Sequence, residues 1–285
     1  MRNQPVIMFL FLVQVTIAAC SQPAEKVDLP GYNLSKPEVF KMPPVLDEIS
    51  GITFHNGNPD TIFAEQDEEG RLFYFHPGGK EIKHIKFATA GDYEDLAICN
   101  GQVFLLRSNG TLFNFPLAGI GNAEIESTEQ KGLLEKGEYE ALYADENNHS
   151  LYVLCKSCHD DKGEEFVSGY IFSVGANGQL SPSGQFSVVE KATADAGKKG
   201  RKKFRPSAMA RHPITHQWYI VSSVNKILVV TDENWRVLQT CPLGPGLFNQ
   251  PEGIAFDKSG NLYISNEIGN AGDATILKFV YRNKK

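Results

Sequence analysis

Five segments of the chain repeat one pattern, and repetition at a regular period restricts a fold more tightly than any single motif can. They are Glu48-Ile-Ser-Gly-Ile-Thr-Phe54, Asp92-Tyr-Glu-Asp-Leu-Ala-Ile98, Glu138-Tyr-Glu-Ala-Leu-Tyr-Ala144, Arg205-Pro-Ser-Ala-Met-Ala-Arg211 and Gln250-Pro-Glu-Gly-Ile-Ala-Phe256. In each, a polar residue is followed by a small or short one and then by an apolar alternation. With that polar residue as marker, Ser50, Glu94, Glu140, Ser207 and Glu252 stand 44, 46, 67 and 45 residues apart. Four-stranded propeller blades repeat about every 40 to 50 residues, so three of the four spacings match.

A second strand-like run follows every marker: Thr61-Ile-Phe-Ala64, Gln102-Val-Phe-Leu-Leu106, Leu151-Tyr-Val-Leu154, Trp218-Tyr-Ile-Val221 and Leu262-Tyr-Ile-Ser265. Third runs include Gly70-Arg-Leu-Phe-Tyr-Phe75, Gly110-Thr-Leu-Phe-Asn-Phe115 and Gly169-Tyr-Ile-Phe-Ser-Val174. Short aromatic and β-branched runs bounded by Gly, Asn and Asp are strand signals, and no long stretch has a strong helical period. The expectation is an all-β fold, a β-propeller of five blades with four antiparallel strands each, over residues 39–285. The aromatic runs Phe73-Tyr-Phe75 and Phe113-Asn-Phe115 read as packing between blades. The wide third spacing holds Glu190 to Lys203, which lacks a strand pattern and reads as an insertion loop rather than a sixth blade. Its basic run Lys198-Lys-Gly-Arg-Lys-Lys203 reads as solvated: Lys+Arg total 28 against 34 Asp+Glu, a net charge of −6, so nothing favours a nucleic-acid partner.

The apolar stretch from Val6 to Ala19 follows Arg2 and is too short to span a bilayer as a mature helix, so residues 1–19 read as a signal peptide. It ends in Ile17-Ala-Ala-Cys20, which resembles a bacterial lipobox; Cys20 would then be the lipidation site and the mature N-terminus. An ordinary secretory peptide with an incidental cysteine is the alternative, and export follows from both. Ser21, where sorting rules in bacteria use Asp for inner-membrane retention, favours the outer membrane. Residues 20–38 read as a tether, since the stretch 21–43 carries Pro23, Pro30, Pro37 and Pro43 and has little apolar periodicity. The expected setting is the cell envelope, at its periplasmic or surface face, with the membrane engaged through the N-terminal lipid.

The repeats resemble the SdiA-regulated family, exported bacterial proteins distantly related to NHL-repeat propellers. The carrying motifs are Ile49-Ser-Gly-Ile52, Asp92-Tyr-Glu-Asp-Leu-Ala97, Glu138-Tyr-Glu-Ala-Leu142, Arg205-Pro-Ser-Ala208, Gln250-Pro-Glu-Gly-Ile-Ala-Phe-Asp257 and Gly260-Asn-Leu-Tyr-Ile-Ser265, spread over about residues 39 to 282. The resemblance implies a five-bladed propeller and a bound calcium ion. It implies no established reaction.

In a propeller the innermost strand of each blade lines the central channel, so equivalent positions form a ring. Glu94, Glu140 and Glu252 would place three carboxylates at one mouth, beside Ser50 and Ser207, where like charges raise one another's pKa unless something compensates. Two readings stand. A cation compensates, and calcium, which takes 6 to 8 oxygen ligands in irregular geometry, suits the donors. Alternatively, Arg107, Lys156 and backbone amides neutralise the glutamates, which are then latches between blades. Glu65, Asn266 and Glu267, at the ends of second strands, are further oxygen donors; Asp92 and Glu138 stand two residues before a marker and share its face.

Cys155-Lys-Ser-Cys-His159 spells the attachment motif of c-type haem, but it continues a strand into a turn, and haem at Cys155, Cys158 and His159 is disfavoured. A disulfide among Cys155, Cys158, Cys99 and Cys241, or buried free thiols, are the competing readings. His212 and His216 flank a turn and read as exposed. No Gly-x-Ser-x-Gly elbow, phosphate-cradling loop or His-Glu-x-x-His occurs. The function expected is a calcium-containing binding or scaffold module whose blade loops meet a protein or small-molecule ligand. The alternative is a calcium-dependent lactonase or esterase-type hydrolase, in which a channel-mouth metal polarises a carbonyl and a nearby base is required.

Overall fold

Strands that are apolar on both faces must be covered on both, and this chain does so by stacking one sheet's face on the next around a central axis. The computed structural model describes residues 29–189, 203–269 and 272–282. Among these, β1 (Glu38–Lys41) precedes the first blade, β2 (Ile49–Thr53), β3 (Ile62–Gln66), β4 (Arg71–Phe75) and β5 (Ile82–Lys86). Blade two comprises β6 (Tyr93–Cys99), β7 (Gln102–Arg107), β8 (Leu112–Pro116) and β9 (Thr128–Gln130). Blade three comprises β10 (Gly137–Asp145), β11 (Ser150–Cys158), β12 (Phe166–Val174) and β13 (Leu180–Val189). Blade four comprises β14 (Ala208–Arg211), β15 (Trp218–Ser222), β16 (Ile227–Thr231) and β17 (Val237–Pro242). In blade five, β18 (Pro251–Phe256), β19 (Leu262–Asn266) and β20 (Thr275–Phe279) are completed by β1.

Neighbouring strands within each blade pair antiparallel, and β1 meets β20 with Glu38 opposite Lys278 and Lys41 opposite Thr275. The two ends of the folded chain thus share one sheet, and backbone hydrogen bonds close the ring. The inner strands β2, β6, β10, β14 and β18 each contact the next, and β18 returns to β2. Five apolar clusters fill the five gaps between blades, one per gap. Phe73 and Phe75 pack between blades five and one, and Phe113 and Phe115 between blades one and two, in the packing role read from their sequence. Part of the wide third spacing is taken up by the nine- and ten-residue strands β12 and β13. Residues 190–202 of the expected insertion lie outside the described residues, as do the expected signal peptide and Cys20.

One difference from the sequence reading concerns the tether. Leu29 and Tyr32 are buried among blades four and five, and the Tyr32 hydroxyl donates to the Gly260 carbonyl at 2.5 Å. The packed body therefore begins by Leu29, ahead of the boundary at residue 39. The burial of two large side chains outweighs the weak local propensity of the surrounding stretch. Leu29→Ala is expected to lower stability by about 2–5 kcal/mol in chemical denaturation. By contrast, Leu238→Ala, at a side chain 54% exposed, should change it by less than about 0.5 kcal/mol.

Candidate functional site

Four of the five markers are bulge residues of their inner strands. Between β2 and β3, Ile49 faces Gln66 and the next pair is Ile52 with Ala64. Between β6 and β7, Tyr93 faces Arg107 and Asp95 faces Leu106. Between β10 and β11, Tyr139 faces Cys155 and Ala141 faces Leu154. Between β18 and β19, Pro251 faces Asn266 and Gly253 faces Ser265. Ser50, Glu94, Glu140 and Glu252 are left out of register, and a bulge re-aims the side chain it carries. Ser207 stands just ahead of β14, its amide donating to the Val221 carbonyl at 2.8 Å.

The residue after each marker lies where neighbouring blades meet. A Cβ on Gly51 would fall 2.4 Å from an Asp95 carboxylate oxygen, and one on Gly253 would fall 2.4 Å from the Ser50 carbonyl. The Ser50 hydroxyl donates to the Glu94 carbonyl at 2.8 Å, and the Ser265 hydroxyl to the Ser50 carbonyl at 2.5 Å. The Asp95 carboxylate accepts from the amides of Leu96 at 2.8 Å and Leu142 at 2.7 Å, tying blade two to blade three. Ser50 is therefore a latch in this structure, and Asp95, which the sequence reading passed over, is another.

The marker carboxylates share Lys156 as a counter-charge. Glu140 is ion-paired with Lys156, whose ammonium lies 3.5 Å from Glu138 as well. Burial pushes Glu94 up to about 8, with Asp92, Glu252 and Asp67 adding repulsion and Lys156 opposing it. Burial raises Glu252 too, against hydrogen bonds with Ser207 and Ser223 and the charges of Lys156 and Lys226. Arg107 stands over the Tyr93 ring, 5.6 Å from its centroid.

Beside this lysine-centred group, Glu48, Asp67 and Glu267 bring one carboxylate oxygen each to within 4.8 Å of the others. Asp67 and Glu267 are equivalent in the repeat, each following the last residue of a second strand in adjacent blades. Glu267 is pushed up to about 8 by burial and by Glu252, Asp67 and Glu48, and it accepts from the Gln250 amide. Asp67 is pushed up to about 6 by burial and by Glu48, Glu68 and Asp92. Four buried oxygens at this end have no hydrogen-bond partner: Glu65 Oε2, Asp67 Oδ1, Glu140 Oε2 and Asn266 Oδ1. The other Glu65 oxygen accepts from the Gly51 amide at 2.6 Å, and the Asn266 amide donates to Thr275 at 3.3 Å. Glu48 was legible as a segment's first residue, in the position of Asp92 and Glu138. Asp67 was legible by aligning second strands, the signal that identifies Glu267.

The opposite ends of the inner strands line a cavity of about 390 Å³. Its walls include Ile52, Leu142, Met209 and Ile254, each two residues after a marker, with Arg211 and Asp145 among its polar residues. Arg211 is paired with Glu233 at 2.7 Å and with Asp145 at 3.5 Å. His212 also lines it, and here the sequence reading is corrected: His212 is fully buried. Its Nδ1 accepts from the amides of Ile214 and Thr215, both at 3.1 Å, and burial pushes its pKa down to about 4, so the ring stays neutral. His216 is exposed, as expected. Cys155 and Cys158 form a disulfide, while Cys99 and Cys241 are free and buried.

Comparison with known proteins places this geometry. The SdiA-regulated family matches residues 176–270. No curated protein matches the chain. Among solved structures, glutaminyl cyclase from Myxococcus xanthus is similar at a TM-score of 0.55 and 12% identity, over 86% of this chain and 96% of that one. A luciferin-regenerating enzyme follows at 0.53 and 9%, over 87% and 96%. Regucalcin from Agrobacterium tumefaciens, described as a calcium-binding protein, gives 0.50 and 14%, over 88% and 95%. At these identities the likeness is one of fold. The family match runs from β13 through β19, about a third of the chain, and over that stretch the sequence is similar to the SdiA-regulated proteins.

Proposed function

We propose that this propeller is a calcium-containing binding module, held at the cell envelope by lipid on Cys20, with the ion at the acidic mouth. The observation that carries the reading is the convergence of Glu48, Asp67 and Glu267, with a partnerless buried oxygen on Asp67 itself and others on Glu65 and Asn266 beside it in the chain's second strands. A buried polar atom without a partner is costly, and buried carboxylates that repel one another are costlier, so the site as built favours an added cation. Glu48, Asp67 and Glu267 would hold it, with Asn266, Glu65, Glu94 and Glu252 as neighbouring oxygens. An all-oxygen donor set suits a hard cation such as calcium. The ion would supply charge neutralisation and bind blades five and one at the seam. The binding reading is preferred to a hydrolase because the two histidines flanking the turn line the opposite cavity, away from these carboxylates. That cavity offers room for a small ligand, and the blade loops offer a surface for a protein one.

Two measurements test this. Glu94 and Glu267 have raised pKa values when folded, so the folded chain binds more protons than the unfolded one until pH passes about 8, and stability must fall as pH rises through that window. In chelator, the thermal midpoint of the purified protein is expected to drop between pH 6.5 and 8.5, a range above that in which the depressed pKa of His212 acts in the opposite sense. Glu94→Gln with Glu267→Gln should flatten the slope. Calcium should then raise the midpoint, more at pH 8.5 than at 6.5 because the ion needs ionised ligands. Asp67→Asn with Glu267→Gln should abolish that rise; an unchanged response would remove these residues from the site, and no response in the native protein would end the calcium reading.

A further inference from the structure

We infer that Lys156 is a tethered counter-ion that sets how tightly the acidic mouth holds a divalent cation, and that the Cys155–Cys158 disulfide holds it in place. The inference rests on the cation reading above and names the residue that regulates that site.

The backbone register supplies the first part. Glu138 faces Ser157 and Tyr139 faces Cys155, so Lys156 is left without a partner on β10. Tyr139 faces Cys155 and Ala141 faces Leu154, so Glu140 is left without one on β11. Two bulge residues on facing strands thus meet, and their side chains form an ion pair in which the lysine is 17% exposed and the glutamate 5%. A pair so withdrawn from water is screened far less than a surface one. The ammonium also reaches Glu138, and its charge is felt at Glu94 and Glu252, so every marker carboxylate is under its influence.

The second part is the fastening. Lys156 is enclosed by the four-residue disulfide loop, and both cysteines are buried in the cluster between blades two and three. A Cβ at Gly137 would lie 2.5 Å from the Cys158 sulfur, so the bridge sits against backbone that only glycine allows. The bridge limits the backbone freedom of Lys156, and the ion pairs with Glu140 and Glu138 then fix its side chain. The buried sulfurs are poorly placed for thiol exchange, which makes the bridge a permanent brace. Electrostatics then fixes the sign. Lys156 bears on Glu252, which bears in turn on Glu267, so its ammonium opposes an incoming divalent ion and satisfies part of the charge that would attract it.

Calcium titration calorimetry on the purified full-length protein tests this with five variants. Lys156→Met keeps the apolar stem without the charge and is expected to bind calcium at least ten-fold more tightly than the native protein. Lys156→Arg keeps the charge and should stay near native affinity. Cys155→Ser with Cys158→Ser should shift affinity in the same direction as Lys156→Met, and adding Lys156→Met to that pair should give no more than Lys156→Met alone. Glu267→Gln controls for the site itself. If the native protein binds calcium and Lys156→Met binds it no more tightly, the counter-ion role is overturned while the cation reading stands. If neither binds calcium, the cation reading falls and this inference with it. If Lys156→Met tightens binding and the cysteine pair leaves it unchanged, the fastening role of the disulfide is overturned. Lys156→Met and Lys156→Arg leave the disulfide intact, so the counter-ion test holds even if the cysteine variant fails to fold.

Discussion

The close approach of five strand edges around one axis is the constraint on which the rest of this structure depends. Inner strands can come together only where the residue facing the neighbouring blade is small or is itself part of the bonding. Gly51 and Gly253 meet the first condition, leaving no room for a Cβ against Asp95 and Ser50. Ser50 and Asp95 meet the second, donating to or accepting from the backbone of the next blade. The outer strands splay apart, and the widening gaps are filled by five separate apolar clusters, so the core is distributed around the ring rather than gathered at a centre. Ring closure through β1 and β20 is a consequence, because a ring of sheets needs its last interface sealed as firmly as the others.

The same crowding creates the electrostatic problem at the mouth. Bulges at the markers turn side chains out of the ladder, and three of these are glutamates. Burial disfavours the charged forms of Glu94 and Glu252, neighbouring carboxylates add to this at Glu94, and Lys156 opposes the shift at both. Glu48, Asp67 and Glu267 then extend the acidic surface across the seam between blades five and one. Oxygens without partners sit among them. Each such buried group without a partner calls for a physical explanation.

The solved structures that share this fold include enzymes and a protein described as calcium-binding, at identities too low to transfer any role. Function on a propeller therefore has to be argued from the site. Here the two ends of the inner strands differ: one carries uncompensated oxygen donors, and the other encloses a cavity with apolar walls and a paired arginine. The uncompensated oxygen donors and the cavity are thus at opposite ends of the inner strands.

The periodicity of the chain was enough, by itself, to determine the propeller, its five blades and the end of each inner strand at which acidic residues gather, because blade spacing and strand alternation are local properties that repeat. The buried role of the Phe73 to Phe75 and Phe113 to Phe115 runs followed from the same alternation. Tertiary structure alone decided which of those acids meet. Glu94, Glu140 and Glu252 are equivalent in sequence, yet a lysine from the neighbouring strand of one blade pairs with Glu140 and draws the group into its own field. Glu48, Asp67 and Glu267 are unremarkable one by one and converge only because blade five closes on blade one, across some two hundred residues of chain. Leu29 and Tyr32 looked like tether for the same reason: their partners lie at the far end of the sequence. A repeat announces each unit's shape, while contacts across the closure depend on how the units meet in space.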